Sequence, residues 1–443
     1  MNEPKDIRAA AAAAKESSYI LAAQSDQARN AALENIIDSL RANKDAIIAA
    51  NEKDLDAAER GGLPAPIVKR LRFDSGKIDE VIAGICDLIK LPSPLGKTIA
   101  MRELDEGLTL EQVTCPIGVI GVIFESRPDA LVQIASLCIK SGNCAVLKGG
   151  SEAAHTNRIL FEKIHAAGLA AGLPRGFLTL AESREEISGL LQCHESIDLI
   201  IPRGSNEFVK YIMDNSDIPV MGHADGVCHV YVDADADIEK AVPIVRDSKV
   251  QYAAACNAAE TVLVHRNIAD RLLPPLGAEL RQRGVAVRGT DEVRNLLPDA
   301  EAASDADWRT EYLDLILSIR IVESADEAIR HINAYGSHHT DCIVTESDEA
   351  AETFTRLVDS AGVYRNCSTR FADGFRYGLG AEVGISTGKL HARGPVGLDG
   401  LTTYKYKLTG SGHIVDDYAS GKKSFHFKEL KPDIAYLTHG FSG

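Results

Sequence analysis

Val119-Ile-Gly-Val-Ile-Phe124 is an unbroken apolar run, too short for a helix and lacking the polar alternation of a half-exposed strand. A strand buried on both faces reads this way, and such strands belong to parallel sheets covered by helices on each side. The residues that follow repeat the theme. A helical pattern at 128–140 leads through Ser141-Gly-Asn to a second apolar strand, Cys144-Ala-Val-Leu147. A helix at 153–171 stops at Gly172-Leu-Pro, and strand 177–180, helix 184–191 and strand 199–201 follow. Strands alternating with helices predict an α/β fold with a doubly wound parallel sheet. A second α/β region runs from 228 to about 375, with strands near 228–232, 260–265, 316–322, 341–345 and 362–365.

Outward from this core, residues 5–60 carry Ala, Glu, Lys, Leu and Ile at helical spacing and read as a pair of amphipathic helices ended by Gly61-Gly62. Another helix reaches the Pro92/Pro94 break. Residues 96–114 alternate around a turn at Asp105-Glu-Gly107, which predicts a projecting two-stranded hairpin, and 401–414 is extended again. A chain of 443 residues is too long for one simple core, so two or three structural units are expected.

The net charge of −16 argues against nucleic acid and anionic membrane surfaces as principal partners. Nine cysteines, at 86, 115, 138, 144, 193, 228, 256, 342 and 367, form no C-x-x-C pair, which suits free thiols in a reducing cytoplasm. Met1-Asn-Glu-Pro-Lys-Asp6 is polar, so no secretory signal is expected. No apolar run approaches the roughly 18 residues that cross a bilayer.

Gln251-Tyr-Ala-Ala-Ala-Cys-Asn-Ala-Ala-Glu-Thr-Val-Leu-Val-His265 sets a cysteine among alanines, between a helical stretch and a β-type run. Small neighbours leave a substrate carbonyl room to reach the sulfur, and the thiolate is the nucleophilic form. Most free cysteines are inert core residues; the other eight read that way, and Cys256 is the exception. Asp233-Ala-Asp-Ala-Asp237 imitates the start of a calcium loop, but Ile238 stands where glycine is needed and no Glu closes it. A strand-to-helix turn with an N-cap is the better reading. His338-His339 has no partner at metal-ligand spacing, so no metal site is expected. No G-x-G-x-x-G follows a strand.

In order along the chain stand Ile123-Phe-Glu-Ser-Arg-Pro-Asp129, Val146-Leu-Lys-Gly-Gly-Ser-Glu152, Ile201-Pro-Arg-Gly-Ser205, Val220-Met-Gly-His-Ala-Asp-Gly226, the Cys256 segment and Gly380-Ala-Glu-Val-Gly-Ile-Ser-Thr387. Together they resemble the aldehyde dehydrogenase superfamily and, within it, the branch that reduces a glutamyl phosphate. The similarity covers essentially the whole chain. It implies an aldehyde-dehydrogenase-like fold: an NADP-binding domain at 1–95 and 118–227, a catalytic domain at 228–395, and an oligomerisation flap with C-terminal tail at 96–117 and 396–443. The implied reaction is NADPH-dependent reduction of L-glutamyl 5-phosphate to L-glutamate 5-semialdehyde and phosphate, the second step of proline biosynthesis from glutamate. Cys256 would attack the acyl phosphate, a thioester would remain, and hydride would convert it through a hemithioacetal to the aldehyde. A homo-oligomer is implied, and glutamate 5-kinase is a possible partner.

The same resemblance suggests roles for individual residues. Lys148 would contact the adenosine ribose, with Gly149-Gly-Ser151 beside it; no carboxylate directly follows the lysine to repel a 2′-phosphate, which favours NADP(H) over NAD. Gly204-Ser205 would place backbone N–H groups under the pyrophosphate, although Gly-Ser at a helix start is also an ordinary N-cap. Glu311 would hold the nicotinamide ribose; a lone Glu is otherwise a solvated surface residue. The oxyanion-binding Asn of the superfamily falls at Ser126, leaving the Cys256 backbone N–H and Asn257 as donors. The Glu that activates water falls at His223, and a reductase gains from losing it. Arg127, Arg370 and Arg393 are candidates for the anionic groups of the substrate, against the alternative of surface ion pairs. A hydrolytic NAD(P)-dependent aldehyde dehydrogenase is the other enzymatic reading, and it would need a Glu near Cys256. A non-catalytic binding protein on the same scaffold is a third, against which the retained cysteine argues.

Overall fold

The computed structural model describes residues 7–182 and 185–431. The polar stretch 1–6, residue 184 at the start of an expected helix, and the end of the C-terminal tail lie outside the described residues. The chain divides into two compact units. One runs through Gly204 and resumes at Tyr211–Met221 and from Gly397 onward; the other comprises Ser205–Lys210 and Gly222–Val396.

The first unit begins with three helices where the pattern suggested two: α1 (Ile7–Ala22), α2 (Asp26–Ala42) and α3 (Lys44–Arg60). Ser25 caps α2 by accepting from the Ala28 N–H, and Asn43 turns its own N–H back to Ser39 at 3.1 Å. Single polar caps mark these boundaries, so uniform helical composition conceals them. After α4 (Ala65–Leu71) and α5 (Ser75–Lys90), β1 (Thr98–Asp105) and β2 (Leu108–Pro116) form the expected antiparallel hairpin. Next come β3 (Val119–Phe124), α6 (Pro128–Lys140), β4 (Cys144–Gly149), α7 (Ala154–Ala170), β5 (Leu178–Ala181), α8 (Glu185–Leu191), β6 (Leu199–Arg203) and α9 (Asn206–Asn215). All six positions of β3 are buried, as its apolar run requires. Each of its large side chains contributes about 1.5–3 kcal/mol of burial.

The strand order is β5-β4-β3-β6, every pair parallel. The chain steps outward from β3 to β5, then returns to the far side of β3. Ligands of open α/β sheets bind outside the carboxyl ends at such a reversal. There the Glu125 N–H bonds the Arg203 carbonyl at 2.9 Å, just before Ser126 and Gly204.

The second unit holds β7 (Cys228–Val232), α10 (Ile238–Val250), β8 (Ala259–His265), α11 (Arg266–Gln282), β9 (Ala286–Gly289), α12 (Asp291–Leu296), β10 (Glu301–Ala302), β11 (Ile316–Val322), α13 (Ala325–Tyr335), β12 (Thr340–Val344), α14 (Asp348–Leu357) and β13 (Gly362–Arg365). Its seven-stranded sheet, β10-β9-β11-β8-β7-β12-β13, is wholly parallel. Successive residues serve opposite faces: Val230 and Val232 join one core with Leu272 and Leu276, while Tyr231 joins another with Leu263 and Phe354. Asp237 caps α10 through the Glu239 N–H, and Asp233 accepts from Tyr231 and Thr345, so the acidic run 233–237 is the expected strand-to-helix turn. A short pair, β14 (Gly384–Ser386) and β15 (Gly394–Val396), ends the unit. The chain then returns to the first unit, where β16 (Thr402–Thr409) and β17 (Lys428–Leu430) flank the hairpin in the order β16-β2-β1-β17.

His331 on α13 shapes the acid stability of the second unit. Its ring is packed among Trp308, His229 and Tyr335, and neither ring nitrogen has a hydrogen-bond partner. Burial pushes its imidazole down to about 3. The folded form therefore binds fewer protons than the unfolded chain, and this contribution to stability is lost as pH falls below the unfolded value of about 6.5. At pH 4 the loss from this group is about 3 kcal/mol. Denaturant unfolding of His331→Phe should show a shallower fall in stability between pH 6.5 and 4; an unchanged slope refutes the assignment.

Candidate active site

Cys256 lies on the loop joining α10 to β8, and both ends of that loop are fixed by charge. Lys249, at the end of α10, donates to Glu260 on β8 at 2.5 Å, with both side chains fully buried. Burial pushes the Glu260 carboxyl up to about 7 and the Lys249 ammonium down. Between them the backbone folds on itself through Ala255 N–H to Tyr252 O and Ala258 N–H to Ala255 O. The half-buried Cys256 is pinned through its backbone. Its carbonyl accepts from the Cys228 thiol at 3.3 Å, and a β-carbon at Gly226 would overlap that same carbonyl. Only glycine allows this approach.

Asn257 is buried, its amide donates to the Ala372 carbonyl at 2.8 Å, and its own carbonyl accepts from Thr369 at 2.7 Å. The side chain thus fastens the 369–372 turn to the cysteine loop. Arg370 lies in that turn, buried, with Nε bonded to Gln251 at 2.9 Å and its guanidinium 6.0 Å from the Tyr252 ring centre. Burial and the neighbouring Arg376 lower its pKa, and the Cys256 side chain is among the charges it feels.

Two imidazoles share the thiol's surroundings. His223 donates from Nδ1 to the Ile385 carbonyl at 2.8 Å and meets the His339 ring edge-on, with centroids 4.8 Å apart. One ligand atom from each of His223, Cys256 and His339 lies within 4.8 Å of the others. Sequence spacing offered His339 no metal-binding partner; the fold supplies two from distant segments.

Ser205 and Glu311, read separately from the sequence, are brought together in the second unit through Asn206, the residue next to Ser205. The Ser205 hydroxyl accepts from the Phe208 N–H at 3.4 Å, an N-cap for α9. Asn206, the next residue, donates to Glu311 at 2.5 Å and to Asp225 at 3.0 Å. Glu311 also accepts from the Gly226 N–H, and burial raises its pKa. It is therefore no solvated surface residue: one glycine separates it from the Cys256 backbone. Asn206 was missed, although its place directly after Gly204-Ser205 was a usable signal.

In the first unit, Lys148 is buried at the carboxyl end of β4 and donates to the Gly149 carbonyl at 2.5 Å. Ser126 adopts a left-handed φ of 48°, stabilised by its N–H and hydroxyl, which donate to Glu152 at 2.6 and 2.7 Å. A β-carbon at Gly150 would overlap that carboxylate, and one at Gly149 the Asn157 amide. Glu152 closes the Val146–Glu152 motif, yet nothing local announces its partner. Ser151 and Gly204 are exposed. Arg127 pairs with Asp129 at 3.0 Å and Arg393 with Asp359 at 3.1 Å, the surface ion pairs held open as alternatives.

Parallel sheets ending in a lysine and a glycine pair, together with a cysteine loop tied to a buried carboxylate, define an oxidoreductase frame of the aldehyde dehydrogenase kind. The chain belongs to the aldehyde dehydrogenase family, whose profile matches residues 1–293. It is 57% identical over 429 residues to gamma-glutamyl phosphate reductase of Ruminiclostridium cellulolyticum, covering 97% of this chain and 99% of that one. The enzyme of the same name from Acetivibrio thermocellus is 58% identical over 416 residues, 94% and 96% of the two chains. The crystal structure of gamma-glutamyl phosphate reductase from Thermotoga maritima matches with a TM-score of 0.91 at 39% identity, covering 93% of this chain and all of that one. Within the family, the chain's place is among the gamma-glutamyl phosphate reductases.

The Lys249–Glu260 pair yields a stability prediction. Removing one partner strands a buried charge and should cost about 3–5 kcal/mol, whereas replacing both with apolar residues of similar size should cost far less. Chemical denaturation of Lys249→Met, Glu260→Leu and the double variant closes the cycle. Additive losses would show that the two groups do not depend on each other.

Proposed function

We propose that this chain reduces L-glutamyl 5-phosphate with NADPH to L-glutamate 5-semialdehyde and inorganic phosphate, in proline biosynthesis. The observation that carries this reading is the joint at Gly226, which bonds Glu311 through its N–H and packs directly on the backbone of Cys256. A nucleophile and a ribose-holding carboxylate share one rigid connection.

The Cys256 thiolate attacks the acyl carbon, the backbone N–H of Cys256 stabilises the developing oxyanion, and phosphate departs, leaving a thioester. Asn257 acts here as a positioning residue, since its amide already fastens the Ala372 turn. That turn presents Arg370 to the anionic substrate near the sulfur, and Arg127 is assigned to a second anionic group. Ser126, fixed by Glu152, lines the substrate side. His223 occupies the slot of the water-activating Glu, so the slot holds no carboxylate to hydrolyse the thioester.

The residues present fit a nicotinamide dinucleotide. A buried cation stands at a strand's carboxyl end beside two glycines, a capped helix N-terminus follows β6, and a half-buried carboxylate is fixed by Asn206. In this reading Lys148, Gly149 and Ser151 hold the adenosine end, Gly204 and Ser205 the pyrophosphate, and Glu311 the nicotinamide ribose. The nicotinamide, when bound, supplies the hydride that releases the aldehyde from the sulfur. No carboxylate directly follows Lys148 to repel a 2′-phosphate, which supports NADP(H). The first unit thus serves as the cofactor domain and the second as the catalytic one.

Nine cysteines with no C-x-x-C spacing support a reducing, cytoplasmic setting. An acyl phosphate of glutamate requires a kinase acting on the γ-carboxylate, here glutamate 5-kinase, as its source. Among the described residues no helix is long and apolar enough to cross a membrane.

With L-glutamate 5-semialdehyde and NADP as reactants, NADPH should form only when phosphate is added. Formation without phosphate overturns the acyl-phosphate reading in favour of hydrolytic oxidation. Edge strand β16 exposes Tyr404, Tyr406 and Leu408, which supports burial against another copy. Tyr406→Lys with Leu408→Lys should lower the mass measured by light scattering; an unchanged mass removes this strand from the interface.

A further inference from the structure

His223, Cys256 and His339 come from the segment preceding β7, the α10–β8 loop and the start of β12, and nothing in the reduction chemistry above uses His339. We propose that these three side chains form a binding site for a borderline-soft divalent cation such as zinc, and that its binding caps the nucleophile reversibly.

The donor set is one sulfur and two imidazole nitrogens, which suits zinc far better than magnesium or calcium. In a tetrahedral zinc site the ligand atoms stand about 3.5 Å apart. Here they all lie within 4.8 Å, so side-chain rotation of the half-buried Cys256 and His223 can close the gap.

Each imidazole is also oriented as a metal-binding histidine is. His223 spends Nδ1–H on the Ile385 carbonyl at 2.8 Å, and Nδ1 of His339 lies 3.0 Å from the Thr340 hydroxyl. Such outer contacts fix the ring and leave the other nitrogen as the ligand atom. For His339 that nitrogen, Nε2, is fully buried and has no hydrogen-bond partner. An unsatisfied buried acceptor costs about 1–3 kcal/mol, and a cation beside Cys256 would satisfy it. Cys228, although near His339, is buried and bonded to the Cys256 carbonyl, so it stands outside the set.

Binding replaces the thiol proton with the metal: one proton leaves for the buffer, a metal–sulfur bond forms, and no electrons are exchanged. Three protein ligands leave a fourth position for water. Occupancy of the site rests on the three side chains alone; inhibition rests in addition on Cys256 being the nucleophile.

Cobalt(II) titration of the full chain, stripped with chelator, separates the two. The expected result is one equivalent bound with a thiolate-to-cobalt charge-transfer band. The band should vanish in Cys256→Ser, and His339→Asn should weaken binding at least tenfold. Zinc should inhibit phosphate-dependent turnover, with chelator restoring it. If circular dichroism shows His339→Asn unfolded, His223→Asn takes its place with the same expectation. A band that survives Cys256→Ser, unchanged affinity in the folded histidine variant, or no band at all overturns the site. A normal band in a chain without phosphate-dependent activity keeps the metal site and removes the catalytic reading instead.

Discussion

Lys249 and Glu260 meet across the loop that carries Cys256, and neither is exposed to solvent. Burying two charges costs several kcal/mol each, which their attraction offsets only in close geometry. Any drift of α10 from β8 would leave both groups unpaired, so the ends of the loop are held at fixed separation. The effect spreads further. Lys249 lies 5.9 Å from the centre of the Tyr312 ring, and Tyr312 directly follows Glu311. Helix end, cysteine loop and the Glu311 segment are thus referred to one buried charge pair.

From that frame, close backbone approaches do the fine positioning. Gly226 fits because it lacks a side chain; Cys228 and Asn257 fasten the residues either side of the sulfur. None of these groups needs to touch a substrate to decide where the sulfur points. The first unit uses a comparable device at the reversal of its sheet. The left-handed Ser126 is an unfavourable conformation for a non-glycine residue, and two hydrogen bonds to Glu152 hold it there. Strain of this kind, at the carboxyl end of β3, accompanies ligand contact more often than simple packing.

The sequence showed most clearly what depends on neighbours within a few residues. Strands buried over all or most of their length, such as β3 and β11, were legible to their end residues because largely apolar runs bounded by turns leave little choice. The boundary between α2 and α3 was not, because a single asparagine cap interrupts an unbroken helical composition. β9 and β10 escaped because short, largely exposed strands toward one margin of the sheet lack an apolar run. At the site, Cys256, Ser205 and Glu311 stood out by motif. Asn206, Glu152 and His339 did not, since their meaning comes from partners 105, 26 and more than 80 residues away.

A thioester enzyme that must exclude water gains from removing the carboxylate nearest its sulfur. Here the nearby carboxylates, the buried Glu260 and the half-buried Glu311, are tied to Lys249 and Asn206 and shifted toward their neutral forms. In the proposed chemistry an imidazole, His223, stands where a water-activating Glu would otherwise be. That exchange has a second chemical consequence. A carboxylate beside a thiolate repels it and offers a hard oxygen, whereas a neutral imidazole offers a nitrogen lone pair that suits the same cations as sulfur. With His339 added from just before β12, the arrangement proposed to protect the acyl–sulfur bond from water would also give the sulfur neighbours that suit zinc. In this reading, protection from hydrolysis and sensitivity to borderline-soft metal ions arise from one exchange of oxygen for nitrogen.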